Sequence, residues 1–211
     1  YGDMSRRVVS VLATFAPELE VYSIDESFLD LTGVNDPFQL SVRMRDRVKQ
    51  WTGIPISVGL GSTKTLAKVA NRLAKKEGGG CKKVDFANEE ALRGLPIQDV
   101  WGVGRRLAIR LRRIGVLNAW EFAQAPSASI RAIGGVTLER TQRELTGISC
   151  LEMEEVTPPR KNTCCSRSFG KPVTDLEELE EAVANYGIRA TRKVRSERSL
   201  AAGLQVFIMT N

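Results

Sequence analysis

The run IPISVGLGSTKTLAKVANRLAKK, residues 54–76, constrains the fold more than any other. Residues 54–61 are β-rich and follow the Ile54-Pro55 step, so they read as a strand. Gly59, Gly61 and a hydroxyl cap at Ser62 or Thr63 lead directly into a helix, which Gly78-Gly79-Gly80 ends. Leu66, Val69, Ala70 and Leu73 share one face of that helix. Lys64, Lys68, Arg72 and Lys75/Lys76 recur at one-turn spacing on the other. A strand feeding such a helix predicts a sheet with a helix laid over it and a cationic outer face. That face reads either as an ordinary solvated surface or as a grip for a triphosphate or a nucleic-acid backbone. GLGSTK lacks the GxxxxGK[ST] spacing of a nucleotide-binding P-loop, which excludes an ATPase of that kind.

Around this unit the chain alternates helices and short strands. Asp3–Phe15 reads as a helix with Val8, Val11, Leu12 and Phe15 on one face. Glu20–Leu31 alternates like a β-hairpin. Asp36 caps a helix with Pro37 at its first position, running to about Trp51 with Leu40, Met44, Val48 and Trp51 inward. Residues 95–116 predict two short helices about Gly102-Val103-Gly104, and residues 130–147 repeat the idea more loosely about Gly134-Gly135. Residues 151–162 have linker composition. The stretch CCSRSFGKPV predicts a strand, 175–198 a long helix and 204–210 a further strand.

The hairpin carries two adjacent acids, Asp25 and Glu26, amid strand residues. On a regular strand they would point to opposite faces; at a hairpin tip or bend they converge. Convergent carboxylates repel unless a cation sits between them. Mg²⁺ suits such a site, being a hard ion bound by carboxylates, waters and substrate phosphates. Two such ions about 3.5–4 Å apart can activate an attacking oxygen and stabilise a leaving pyrophosphate. The plainer reading is an acidic surface turn. The WGVGRR turn reads as a helix-hairpin-helix, in which glycines let backbone N–H groups approach a phosphate at a helix start. Arg105, Arg106, Arg110, Arg112 and Arg113 add charge, so binding there should ignore base identity and depend steeply on salt. The plainer alternative is a turn between two core helices.

Composition narrows the chemistry. There is no histidine among the 211 residues, which removes Ser-His-Asp, Cys-His and HExxH catalysis. Cys81, Cys150, Cys164 and Cys165 show no CxxC spacing, so a zinc cage is not expected and free thiols suit a reducing compartment. The net charge is +6, and residues 60–115 hold 13 Lys/Arg against 5 Asp/Glu, which favours a polyanionic partner. No apolar run approaches the roughly 18 residues of a membrane span. Both termini fall within patterned sequence, so the chain is expected to be a piece of a longer protein.

Together these motifs resemble the Y-family translesion DNA polymerases, above all their UmuC-type branch. YSIDESFLDLTG is similar to the family's palm signature, VGLGSTKTLAKVANRLAKK to the strand and helix after it, and LPIQDVWGVGRRL to the thumb entry. YGDMS, LERTQRELTG and CSRSFG resemble the UmuC-type branch. The resemblance implies an α+β chain: part of a palm of mixed sheet and helices (1–85), an all-α helix-hairpin-helix thumb (86–149), a linker (150–162) and the first part of a ferredoxin-like little finger (163–211). It implies that Asp25 and Glu26 are catalytic, metal-holding acids of a two-ion Mg²⁺ site and that Lys75 lies near the incoming triphosphate. Gly102, Val103, Gly104, Arg105 and Arg106 would hold duplex backbone, and Ser166, Arg167 and Ser168 template backbone.

The implied activity is error-prone, DNA-directed nucleotidyl transfer to a primer 3′ end, in the cytoplasm, during the SOS response to DNA damage. The implied partners are primed DNA and deoxynucleoside triphosphates, with a UmuD-like dimer, RecA and the sliding clamp; no membrane is implied. The family's first metal-binding acid, its steric-gate aromatic and its fingers would precede Tyr1, and the rest of the little finger and a clamp-binding segment would follow Asn211. The expectation is therefore a piece that does not polymerise alone, from a parent that does. Asp30 is a formal substitute ligand, but its five-residue offset from Asp25 reads as an ordinary strand acid. The rival readings are a non-catalytic helix-hairpin-helix DNA-binding module, including a degenerate polymerase relative, and a helix-hairpin-helix nuclease or glycosylase. The nuclease or glycosylase leaves the basic helix unexplained.

Overall fold

A computed structural model describes residues 1–153 and 162–209. The chain divides into two units, Tyr1–Thr157 and Pro158–Asn211. The α+β class is as expected. No helix among the described residues is long and apolar enough to cross a membrane.

The first unit opens with α1 (Gly2–Leu12), β1 (Leu19–Val21), β2 (Ser27–Leu29) and α2 (Pro37–Thr52). β1 and β2 pair antiparallel, Leu19 opposite Leu29 and Val21 opposite Ser27, so the alternating pattern is a hairpin. α2 starts where the sequence places it: the Asp36 carboxylate accepts from the Gln39 amide at 3.0 Å, with Pro37 next. Val11, Leu12, Met44 and Val48 form a small core, with Val8, Phe15, Leu19, Leu29 and Ile56 packed on it. Trp51 is not part of it. The ring is exposed beneath the Arg47 guanidinium, 4.8 Å from its centre, because Ser41, Met44 and Val48 already fill the inward stripe.

β3 (Val58–Leu60) leads into α3 (Lys64–Lys76), and β4 (Cys81–Lys83) returns parallel to β3. β4 is not foreseen in the sequence, since a three-residue strand with two lysines carries no readable alternation. β3 and α3 lie unusually close. A Cβ added at Gly59 would fall 2.1 Å from the Ala67 carbonyl oxygen and 2.2 Å from the Asn71 amide nitrogen. Asn71 also donates its side-chain amide to the Ser57 carbonyl at 2.6 Å, tying the helix to the strand. Gly59→Ala should therefore cost about 3 kcal/mol, near the upper end of overpacking penalties, because backbone rather than a side-chain tip must move. Urea denaturation checks this, and a loss below about 1 kcal/mol would show that β3 and α3 can separate cheaply.

The remaining elements of the unit are α4 (Glu89–Arg93), a single 3-10 turn (Ile97–Asp99), α5 (Arg105–Arg113), α6 (Ala119–Gln124) and α7 (Ser127–Leu145). The 3-10 turn corrects the expectation of a helix before Gly102. Pro96 stands at its start and Val100 is already extended, leaving too few residues for an α-helical turn. The looser copy at Gly134-Gly135 is present as a break within α7, where Gly135 takes φ 70° and ψ −167°. Only a residue without a Cβ adopts such a backbone readily. The main core runs from Leu66, Val69 and Ala70 of α3 through Leu92, Leu95, Ile97, Leu111 and Phe122 to Ile130, Leu138 and Leu145. It therefore spans residue 85, so α3 shares its core with the elements that follow.

In the second unit α8 (Leu176–Ser196) is capped by Asp175, whose carboxylate accepts from the Glu177 amide at 3.1 Å. The strands expected at 164–173 and 204–210 are not formed among the described residues; both stretches run without a hydrogen-bonded ladder. In a split βαβ arrangement the strands on either side of a helix pair with a third strand between them, not with each other. No such strand is among the described residues, and Leu204, Val206, Phe207, Ile208 and Met209 are exposed. The linker expected at 150–162 falls largely on residues 154–161, outside the described ones, as does Thr210.

Candidate nucleotidyl-transfer and nucleic-acid site

The site is assembled on α3. Thr63 caps that helix and ties it to α7: its hydroxyl oxygen accepts from the Leu66 amide at 3.2 Å and its hydroxyl donates to the Glu144 carbonyl at 2.8 Å. The Glu144 carboxylate is fully buried at the same end. It accepts from the Thr65 amide at 2.9 Å and hydroxyl at 2.8 Å, and from the amides of Cys150 and Leu151 at 3.1 and 3.0 Å. A negative group there also complements the positive end of the helix dipole.

Asp25 and Glu26 do not lie on a strand. They occupy the loop 22–26, closed by Tyr22 and Ser23 amides donating to the Glu26 carbonyl at 3.1 and 3.0 Å. Asp25 is exposed. The Ser23 hydroxyl donates to it at 2.7 Å and, above all other influences, holds its carboxyl below the ordinary range. Desolvation, the next influence, opposes it, and the amide of Asp25, Lys75 and Lys68 add smaller pulls downward. Glu26 is partly buried and accepts from the Lys68 ammonium at 2.7 Å. Asp30 is used otherwise: it accepts from the Thr32 amide at 2.8 Å and hydroxyl at 2.6 Å, and these bonds lower its pKa. No group of three or more His, Cys, Asp or Glu that could hold a metal ion occurs among the described residues.

The basic stripe of α3 is not an open cationic face. Lys64 pairs with Glu20, Lys68 with Glu26, and both Arg72 and Lys76 with Asp99, at 2.7 and 3.7 Å. The one-turn spacing of four cations is answered by acids from β1, the acid loop and the 3-10 turn. Lys75, on the same face of α3, is exposed and close enough to act on Asp25 electrostatically. The acids Glu20, Asp99 and Glu144 were not singled out in the sequence. Asp99 had a faint signal, an acid beside an excess of cations; Glu144 had none, since LERTQREL reads as a solvated helix.

Trp101 joins the two halves of the site. Its indole N–H donates to the Tyr22 hydroxyl at 3.2 Å, and Tyr22, Phe28 and Trp101 meet with ring centres 5.4–5.8 Å apart. Gly102 follows, at φ 82°, with a Cβ position 3.3 Å from the Thr141 hydroxyl of α7. Gly104 is the cap residue of α5, and Arg105, Arg106, Arg110, Arg112 and Arg113 are exposed along that helix, Arg112 bonded to Gln98. Val103 is buried and anchors the turn. Thus Asp25, Glu26, Lys75 and residues 102–106 all belong to the first unit. Ser166, Arg167 and Ser168 belong to the second, exposed on its extended segment.

This arrangement has the fold of Y-family DNA polymerases. A Y-family DNA polymerase chimera of Dbh and Dpo4 matches with a TM-score of 0.72 over 92% of this chain and 57% of its own, at 22% identity. Residues 1–72 match the impB/mucB/samB family, and residues 160–211 match that family's C-terminal domain. Protein UmuC of Salmonella typhimurium is 42% identical over 221 aligned residues, covering all of this chain and 52% of the relative. Protein ImpB of Salmonella typhimurium is 40% identical over 220, with the same coverage. The chain belongs to the impB/mucB/samB family, and it spans about half the length of the curated relatives it matches.

Proposed function

We propose that this chain is the catalytic-acid and DNA-gripping portion of an error-prone DNA-directed DNA polymerase that copies damaged template. In this reading residues 1–85 are palm, 86–149 helix-hairpin-helix thumb, 150–162 linker and 163–211 the start of the little finger. One observation carries it: the acid loop and the glycine turn are neighbours, joined by Trp101 to Tyr22 just ahead of Gly102. A duplex end held at the turn would then be presented to the carboxylates.

The donor set at the loop, two carboxylates with an ammonium already on one of them, suits a hard divalent cation and falls short of a full ligand shell by itself. Asp25 and Glu26 would hold Mg²⁺. Bound there, it would supply the charge that activates a primer 3′ oxygen and steadies a departing pyrophosphate. The chain's own residues do the rest. Lys75, exposed near Asp25, offers its charge to the incoming triphosphate. The free N–H groups at the start of α5 and the guanidinium groups of Arg105 and Arg106 hold backbone phosphate and leave base identity unread. Ser166, Arg167 and Ser168 would contact the template backbone from the second unit. The resemblance to UmuC alone supports a UmuD-like dimer, RecA and the sliding clamp as protein partners, and the cytoplasm as the place of action.

The test is made on the full-length protein with a primed template. It should add deoxynucleotides in Mg²⁺ and bind primed DNA with an affinity that falls steeply with salt. Arg106→Ala should flatten the slope of log K against log salt by about 1. Salt-dependent binding without any extension would overturn the polymerase reading in favour of a DNA-binding module.

A further inference from the structure

Lys68 lies directly against the acid loop. Its ammonium lies 2.7 Å from Glu26 Oε2, 5.4 Å from the centre of the Tyr22 ring and 5.8 Å from that of Trp101. One charge is thus held by a carboxylate and two aromatic rings, an arrangement that stabilises a cation beyond an exposed ion pair. The side chain is only 20% exposed. It is delivered from a fixed support, since Leu66, Val69 and Ala70 root α3 in the main core. Of the other cations of the stripe, Lys64 is engaged by Glu20, and Arg72 and Lys76 by Asp99, while Lys75 is exposed and acts on Asp25 only through its charge.

Two adjacent carboxylates with no counter-charge would disfavour each other's ionised form. Here Ser23 serves Asp25 and Lys68 serves Glu26. We propose that Lys68 is the resident counter-cation of the acid loop: it holds Glu26 until a divalent ion displaces it, and only then are both carboxylates available as ligands. This rests on reading Asp25 and Glu26 as metal-holding acids. A lysine suits the task because its ammonium is a single charge on a flexible four-carbon stem, able to withdraw along the ring faces while α3 stays in place. A dication brings twice the charge to the same oxygens and so can win the exchange, whereas a monovalent ion has no such advantage.

The experiment uses this chain and Mn²⁺ binding followed by the loss of the free-ion EPR signal. Lys68→Met should bind Mn²⁺ about tenfold more tightly, since it removes both a competitor and a nearby like charge. Lys64→Met, one turn away on the same stripe, should change affinity by less than about twofold, because its partner is Glu20. Equal tightening by the two variants, or none by Lys68→Met, overturns the proposal. Asp25→Asn with Glu26→Gln separates the two levels. Binding that survives both changes shows that the acids are not the metal site, and the displacement idea falls with them. Binding that needs the acids but ignores Lys68 removes the displacement idea alone. The wild-type chain gives an independent reading should Lys68→Met not fold. The Lys68 εCH₂ protons, beside two rings, should be shifted upfield in NMR without metal and return to ordinary values in saturating Mg²⁺. An unchanged shift on saturation overturns displacement.

Discussion

Asp25→Asn and Glu26→Gln, each made in the full-length protein, should lower primer extension by more than about a hundredfold, the upper end of what even an outer-sphere partner of a metal contributes. Both substitutions keep size and remove a carboxylate charge. DNA affinity should stay within about threefold, because the glycine turn and the arginines of α5 are untouched and the loop is closed by main-chain bonds from Tyr22 and Ser23. Glu26→Gln also leaves Lys68 without its carboxylate, so its effect should reach the loop's conformation as well as metal affinity. Single-turnover extension with saturating DNA separates the two. Extension retained by both variants would remove the carboxylates from the chemistry.

Glu144→Ala should cost the first unit about 3–5 kcal/mol, the range for removing one partner from a buried charged network. Four donors lose their acceptor together: the Thr65 amide and hydroxyl and the amides of Cys150 and Leu151. A buried donor left unpaired costs about 1–3 kcal/mol, so a few such losses reach this total without any packing defect. The two oxygens serve different segments, Oε2 the start of α3 and Oε1 residues 150 and 151. Glu144→Gln keeps one acceptor and turns an NH₂ toward the other donors, so it should not restore stability. Equilibrium urea denaturation reads both; a loss under about 1 kcal/mol for the alanine variant would mean that water replaces the carboxylate.

Much of the local structure was legible because its causes are local. Asp36-Pro37 starts α2, and of the two hydroxyls expected to cap α3, Ser62 or Thr63, it is Thr63 that does so, each from residues within a turn of the feature. The hairpin around the acids followed from alternation, and the break at Gly135 from paired glycines. The failures depend on distant partners. Thr63 and Glu144 meet across 81 residues, and nothing near position 144 marks it as buried. The basic stripe looked open because Glu20, Glu26 and Asp99 approach it from three other segments. The strands at 164–173 and 204–210 have the composition of strands, but a strand exists only with a neighbour to pair with. At the site, the acids and the glycine turn could be read singly. Their adjacency through Trp101 could not, since it joins positions 79 apart.

The two apolar cores of the first unit do not include the contacts around the acid loop. What joins that loop to α3 and the glycine turn is the Lys68–Glu26 ion pair and the edge contacts of Tyr22 with Phe28 and Trp101. Polar and edge contacts re-form in a new register at small cost, whereas interdigitated aliphatic side chains do not. The acid loop is therefore seated on a slip plane. On the proposed reading, the carboxylates could then shift against the turn that would hold the phosphate backbone while both cores stay intact, a freedom suited to a template whose bases are not of uniform shape.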